Sequence, residues 1–142
     1  MGPKLVEYLK YEVEDSGICW ITFNRPERRN ALMGNSQENS TVAKVGEYMR
    51  AADDDTAARV IVLTGEGQGF CSGADMRRDN DPSVLGENFV GNRDHTESPD
   101  FVRQHFFHGF TQLHRDISLV RKPTIAMING AAVGSGMDMA LH

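Results

Sequence analysis

Residues 128–138 read Ile128-Asn129-Gly130-Ala131-Ala132-Val133-Gly134-Ser135-Gly136-Met137-Asp138, the stretch that says most about the fold. An apolar run at 124–128 leads into this Gly-rich turn, and the amphipathic start of a helix follows it. Glycines let backbone N–H groups approach a ligand closely, and a helix start adds the positive end of its dipole. The stretch is consistent with an oxyanion site with a carboxylate, Asp138, at its rim. On these residues alone, a tight strand-to-helix turn with a capping Asp is an equal alternative.

A second segment has the same organisation. Residues 60–64 are apolar and β-branched, which indicates a buried strand, and they lead into the glycines and small residues of 65–76. Two such turns, each with a free N–H at a strand end, could point at one carbonyl oxygen. That arrangement polarises a thioester or another acyl group.

Composition excludes several classes of protein. The chain has 142 residues and a formal net charge of -5, which suits one modest domain and disfavours nucleic acid as a partner. Cys19 and Cys71 have neither metal-ligand nor disulfide spacing, and no run is long enough to span a membrane. The N-terminus lacks the apolar stretch of a signal peptide, so we expect a cytoplasmic protein.

Alternating strand and helix patterns predict an α/β layered fold. Strands are expected at 5–13 and 18–23, joined by the turn Asp15-Ser16-Gly17, and at 59–63. A helix, weak at its start, is expected at about 35–52. A longer helix is expected from about 100 to Pro123, with one apolar face formed by Val102, Phe106, Phe110, Leu113, Ile117 and Val120. The polar segment 78–99 is either a mobile loop beside a site or a disordered insertion.

Histidines suggest a metal site at first sight. His105, His108 and His114 lie on the expected long helix, but zinc needs three or four converging ligands. No cysteine or acidic residue is spaced to complete such a set, so we expect no bound metal and histidines at the surface or at a pocket edge.

Three segments resemble the crotonase (enoyl-CoA hydratase/isomerase) family, in family order and at family-like spacing. They are Asn-Arg-Pro-Glu-Arg-Arg-Asn-Ala-Leu at 24–32, Val-Leu-Thr-Gly with Phe-Cys-Ser-Gly-Ala-Asp at 62–65 and 70–75, and Lys-Pro-Thr-Ile-Ala-Met-Ile-Asn-Gly with Gly-Ser-Gly at 122–130 and 134–136. The resemblance implies a crotonase-like layered β/α core of ββα repeats. It implies that residues 1–142 are the N-terminal part of one such domain, truncated before the C-terminal helices.

The resemblance also implies catalytic roles. The backbone N–H groups of Ala74 and Ser135 would form the oxyanion hole that stabilises a thioester enolate. Asp138 falls where the family's hydratases place their first catalytic Glu, and it would act as general acid or base. An Asp at this place is familiar from dienoyl-CoA isomerases, so isomerisation is an alternative to hydration.

Coenzyme A, as part of an acyl-CoA thioester substrate, would be the bound nucleotide, with no separate cofactor. Arg77 matches a basic residue near the coenzyme A phosphates in some members, and the family also approaches the nucleotide at Arg28 and Arg29. Guanidinium groups suit phosphate because they form forked hydrogen bonds. The expected substrate-binding residues are Arg28, Arg29, Ser72, Gly73, Asp75, Met76, Arg77 and Gly134. Family members form trimers or hexamers, and we expect the same when the protein is full length.

Two classes of function remain open. One is a coenzyme A thioester enzyme, a hydratase, an isomerase or a related lyase or hydrolase. The other is a non-catalytic fragment or binding module that retains the fold, because the second carboxylate of the family's hydratases would lie beyond His142. An RNA-binding protein of the same fold is a weaker possibility, which the acidic charge disfavours. Without the closing helices, we expect exposed apolar surface.

Overall fold

The computed structural model describes residues 8–33, 40–75 and 109–142. Within these ranges the chain alternates strands and helices, which confirms the expected α/β class. The elements in chain order are β1 (Leu9–Val13), β2 (Ile18–Phe23), a short 3-10 helix (Pro26–Arg28), α1 (Thr41–Asp54), β3 (Val60–Gly65), β4 (Gly69–Cys71), α2 (Phe110–Ser118), β5 (Thr124–Met127), β6 (Ala131–Ala132) and α3 (Ser135–Leu141).

The main sheet has four strands in the order β1-β2-β3-β5. The predicted hairpin is present, because β1 and β2 pair antiparallel around the turn that contains Gly17. Strand β3 lies parallel to both β2 and β5, with Leu63 opposite Ile21 on one side and Ala126 on the other. Strand β3 is therefore central, and its residues Ile61 and Leu63 are buried.

A second sheet was not expected from the sequence. Strands β4 and β6 pair in parallel, with Gly69 opposite Ala131 and Cys71 opposite Ala132. The carboxyl ends of parallel neighbours lie at the same edge of a sheet. The turns that follow β4 and β6 are therefore brought side by side.

Helix α1 begins later than its sequence pattern suggested. Ser40 caps the helix, because its hydroxyl accepts a hydrogen bond from the Ala43 N–H at 3.2 Å. The apolar stripe of Val42, Val45 and Met49 is fully buried against the sheet-side core, as the helical spacing predicted. The polar residues 34–39, part of the expected helix, lie outside the described residues.

Helix α2 is the described part of the long helix expected near residues 100–122. Its Leu113 and Ile117 are buried in the core, as predicted. It packs on α1 where Gly46 leaves room for the carboxylate of Asp116, which pairs with Arg50 and accepts a hydrogen bond from Gln112. Residues 101–108, which the sequence pattern placed in the expected helix, and the segment 78–99, expected to be a mobile loop or a disordered insertion, both lie outside the described ranges.

Apolar side chains are exposed at one side of the molecule. Strand β5 is an edge strand in the part of the sheet that the structure describes. Ile125 and Ile128 are 52% and 53% exposed, and Leu141 on α3 is 74% exposed. Apolar patches of this kind favour contact with another apolar surface. None of the helices described here combines the length and apolar character needed to cross a bilayer.

Candidate active site

Two glycine-containing turns touch each other at the ends of β4 and β6. Gly73 has a φ of 82°, a left-handed conformation that favours glycine. A Cβ at Gly73 would lie 2.7 Å from the Val133 carbonyl oxygen and 3.5 Å from the Ser135 nitrogen. The Val133 N–H donates to the Cys71 carbonyl at 2.9 Å, which ties the second turn to the first. The turns at 72–75 and 133–135 thus form one surface.

The backbone N–H of Ala74 takes no part in the hydrogen bonds that its neighbours form with Leu32. Ala74 forms a parallel bridge with Leu32, but the two hydrogen bonds of this bridge involve the residues on either side of Ala74. The Leu32 N–H donates to the Gly73 carbonyl at 2.8 Å, and the Asp75 N–H donates to the Leu32 carbonyl at 2.9 Å. In a parallel bridge of this kind the N–H of the central residue points away from the partner strand. The Ala74 N–H has no acceptor among the described residues.

The backbone N–H of Ser135 is available for a different reason. Ser135 is the first residue of α3, and the first N–H groups of a helix have no acceptor within it. Gly136 N–H is already satisfied by Val133 O, and Met137 and Asp138 N–H by Gly134 O. The Ser135 N–H has no acceptor in residues 8–33, 40–75 and 109–142. The two contacting turns therefore each present an open donor, and two such donors can polarise one carbonyl oxygen.

Asp138 lies in the first turn of α3, three residues after Ser135 and on the same helix face. Its side chain is exposed among the described residues. The charge of Asp138 also reaches His114 on α2. Burial lowers the pKa of His114, as does the neighbouring His142, whereas the Asp138 carboxylate opposes both effects.

His114 is a polar side chain near Asp138 whose surroundings could not be predicted from sequence spacing alone. Its ring lies 5.0 Å from that of His142, and its Nε2 is buried with no partner among the described residues. The expectation of a surface or pocket-edge histidine fits its partial burial. In the part of the chain that the structure describes, no cluster of three or more metal-ligating side chains occurs.

Arg28 and Arg29 lie beside the first turn. The Ser72 N–H donates to the Arg29 carbonyl at 3.0 Å, and the Ser72 hydroxyl contacts the Arg28 carbonyl at 3.5 Å. Both arginine side chains are exposed. The structure thus brings Arg28, Arg29, Ser72 and Gly73 together, and the role of the two arginines in phosphate binding stays a prediction.

Other expected site residues are arranged differently. The Asp75 carboxylate does not face solvent: it is buried and pairs with the guanidinium of Arg25 at 2.8 Å. Gly134, with a φ of 53°, shapes the second turn, and a Cβ there would lie 4.0 Å from Gly73 Cα. Met76 and Arg77 lie outside the described residues.

Two asparagines that sequence reasoning left without a role hold the loop at 65–69. Asn30 Nδ2 donates to the carbonyls of Glu66 and Gly69, and Asn129 Nδ2 donates to those of Gly65 and Gly67. Their one sequence signal was an Asn next to a Gly-rich or tight turn, a common place for side chains that bond backbone groups.

The thiol next to the first turn is not a nucleophile candidate. Burial raises the pKa of Cys71 to about 11, so that it stays protonated at neutral pH. Acyl transfer to a cysteine is thereby disfavoured, and the arrangement suits polarisation of a carbonyl by backbone donors with a carboxylate nearby.

The layered α/β architecture brings two glycine-containing turns together at adjacent strand ends, and comparison with known proteins identifies the family. The family model for enoyl-CoA hydratase/isomerase matches residues 13–142. The chain belongs to this family, which confirms the resemblance seen in the three sequence segments.

Individual relatives agree. The chain is 36% identical over 126 residues to a probable enoyl-CoA hydratase of Mycobacterium leprae, with 89% of this chain and 42% of the relative covered. It is 37% identical over 127 residues to a probable enoyl-CoA hydratase of Mycobacterium tuberculosis, covering 89% of this chain and 41% of that protein. The chain thus spans about two fifths of the length of these relatives.

Solved structures confirm the crotonase fold. A Pseudomonas aeruginosa protein superposes with a TM-score of 0.70 at 32% identity, covering 96% of this chain and 50% of that one. A candidate enoyl-CoA hydratase/isomerase (crotonase) of Legionella pneumophila gives a TM-score of 0.72 at 28% identity, with 94% and 44% covered.

Proposed function

We propose that the protein binds an acyl-CoA thioester and stabilises its enolate with the backbone N–H groups of Ala74 and Ser135. The observation that carries this proposal is the contact between the two turns, each with a donor that lacks an acceptor in the described residues. A thioester oxygen that gains negative charge on deprotonation or addition is stabilised by two such donors, each worth roughly 3–4 kcal/mol in comparable enzymes.

Asp138 is the proposed general acid or base. Its position one helical turn after Ser135 supports this role, because a carboxylate there can reach a carbon atom of an acyl chain whose carbonyl is held by the Ser135 N–H. In hydration, the carboxylate would help water add across the 2,3 double bond, with one proton delivered to the α-carbon. In isomerisation, it would remove a proton from one carbon and return it to another.

Arg28 and Arg29 are the proposed contacts to the coenzyme A phosphates, together with Arg77; Arg77 and Met76, which is proposed only as a substrate-binding residue, lie outside the described residues. Both arginines are exposed, and their main-chain carbonyls accept hydrogen bonds from Ser72, which supports this assignment. Coenzyme A would enter and leave as part of the substrate. By analogy with the family we also propose a trimer or hexamer in the cytoplasm, which sedimentation and cell fractionation would test.

The test is turnover of 2-enoyl-CoA and dienoyl-CoA thioesters by the protein over the whole length that its gene encodes. Loss of the conjugated absorbance without a new isomer indicates hydration, whereas a shifted diene spectrum indicates isomerisation. The Asp138→Asn variant keeps the size of the side chain but cannot accept a proton as a base. We expect kcat to fall by about 10²–10⁴-fold, with the Kd of coenzyme A little changed.

The matched control is Asp15→Asn, which removes an exposed carboxylate from the turn between β1 and β2. It should leave kcat unaltered. Full turnover by Asp138→Asn would reduce Asp138 to a helix-start residue. Thioester binding without any turnover by the unmodified protein would instead favour the binding-module alternative.

A further inference from the structure

A buried ion pair involves Asp75, the residue that follows Ala74 in the first turn. Arg25 Nη1 is 2.8 Å from Asp75 Oδ2, and the two side chains are 8% and 4% exposed. Charges removed from water are costly unless they are paired in good geometry, and loss of one partner leaves the other uncompensated. Asp75 immediately follows Ala74, so this ion pair acts on the backbone of the proposed oxyanion turn.

The backbone around Ala74 is fixed to the segment 29–32 on both sides. Before Ala74, the Ser72 N–H donates to Arg29 O and Gly73 O accepts from Leu32 N–H. After Ala74, the Asp75 N–H donates to Leu32 O. The Ala74 N–H takes no part in these contacts. Its direction is therefore set by how firmly its two neighbours are held.

Arg25 is itself held in place. Its backbone N–H donates to Asn30 Oδ1 at 2.8 Å, and its carbonyl accepts from the N–H groups of Arg28 and Asn30. Its guanidinium also donates to the Ala31 carbonyl at 3.2 Å and lies over the Tyr8 ring, 5.4 Å from the centroid. A guanidinium with this many contacts has one orientation, and the carboxylate that binds it is fixed as well.

We propose that Arg25 is a positioning residue which, through its ion pair with Asp75, fixes the direction of the Ala74 N–H toward the thioester oxygen. Asp75 then contributes to catalysis without touching the substrate. This inference rests on the proposed function. It predicts that breaking the pair reduces polarisation of the bound thioester carbonyl while coenzyme A still binds, because the nucleotide contacts lie on Arg28 and Arg29.

The test uses a conjugated enoyl-CoA thioester that absorbs in the near ultraviolet and is not turned over. Hydrogen bonds to its carbonyl oxygen pull electron density along the conjugated chain and shift the absorption to longer wavelength. The shift is measured at saturating protein, so that only the folded, ligand-bound form contributes. The variants are Arg25→Met, Arg25→Lys and Asp75→Asn, and kcat and KM are measured with a reactive enoyl-CoA.

We expect Arg25→Met and Asp75→Asn to reduce the red shift and to lower kcat by about 10–100-fold, the range for small misplacement of a catalytic group, with KM nearly unchanged. Arg25→Lys keeps the charge but loses the planar guanidinium whose Nη1 bonds both Asp75 and Ala31, so it should recover part of the red shift and part of kcat. If Arg25→Met does not fold, Asp75→Asn and Arg25→Lys decide the question, since both nearly conserve volume.

A second ion pair provides the matched control. Arg50 and Asp116 join α1 and α2, with the Asp116 carboxylate 8% exposed. Arg50→Met should lower stability without altering the red shift. An unaltered red shift and kcat in Asp75→Asn and Arg25→Lys would overturn the inference, as would an equal loss in Arg50→Met. If the unmodified protein gives no red shift, the proposed function itself fails, which is a different result.

Discussion

Three glycines near the site allow the contact between the two turns to be tested by stability alone. Gly69 lies in β4 with no positive φ, and a Cβ there would meet nothing closer than 3.9 Å. Gly134 has a φ of 53° and a ψ of -129°, but a Cβ would be 4.0 Å from its nearest neighbour, Gly73 Cα. Gly73 combines a φ of 82° with a Cβ position 2.7 Å from the Val133 carbonyl oxygen.

Alanine at each position should therefore have a different effect. Gly69→Ala should stabilise the protein by about 0.4–1 kcal/mol, because alanine lowers the entropy of the unfolded chain. Gly134→Ala has the same entropic stabilisation but adds backbone strain of about 1–3 kcal/mol. Its free energy of unfolding should therefore fall by about 1–2 kcal/mol. Gly73→Ala adds about 1–3 kcal/mol of overpacking to that strain, for a net loss of about 2–4 kcal/mol.

The assay is equilibrium urea unfolding followed by circular dichroism, with the midpoint and the m-value fitted separately. In thermal unfolding of the same variants, each kcal/mol of change in the free energy of unfolding should move Tm by about 2–4 °C in a chain of this size. A midpoint that moves at an unchanged m-value shows that stability has altered, and not the surface exposed on unfolding. Equal losses for Gly73→Ala and Gly134→Ala would refute the close approach of Gly73 to Val133, and with it the contact between the turns.

Further outcomes follow from single side chains. Burial lowers the pKa of His114 in the folded chain below the ordinary histidine value of 6.5, so the unfolded chain binds more protons and stability should fall as the pH drops below 6.5. His114→Gln should flatten this dependence, measured as Tm against pH; a slope unaltered by the substitution would contradict it. Asn129→Ala should destabilise by about 1–3 kcal/mol in urea unfolding, because the carbonyls of Gly65 and Gly67 lose a shared donor. Cys71 should resist alkylation at pH 8 until the protein unfolds, since its thiol is buried with a raised pKa; rapid labelling of the folded protein would oppose this.

Local patterns in the sequence were sufficient for most of the larger elements. Alternating apolar and polar residues on either side of Asp15-Ser16-Gly17 predict the hairpin of β1 and β2. Apolar, β-branched runs predict β3 and β5. Helical spacing predicts the buried stripe of α1 but not the residue at which the helix begins. Several polar residues precede the helix, and the sequence does not show that Ser40 is the one that caps it. The family resemblance likewise rested on short segments whose order and spacing are visible in one dimension.

The sequence by itself determined the α/β class, the family and the two Gly-rich turns, because side-chain periodicity and turn chemistry act over a few neighbouring residues. Only the tertiary structure decided how the turns meet. Strands β4 and β6 have three and two residues, too short for any period to show, and they pair across the fold. The burial of Asp75 depends on Arg25, 50 positions earlier, and Asn129 holds a loop more than 60 positions away. Contacts of that separation arise from the packing of whole elements, which no local pattern records.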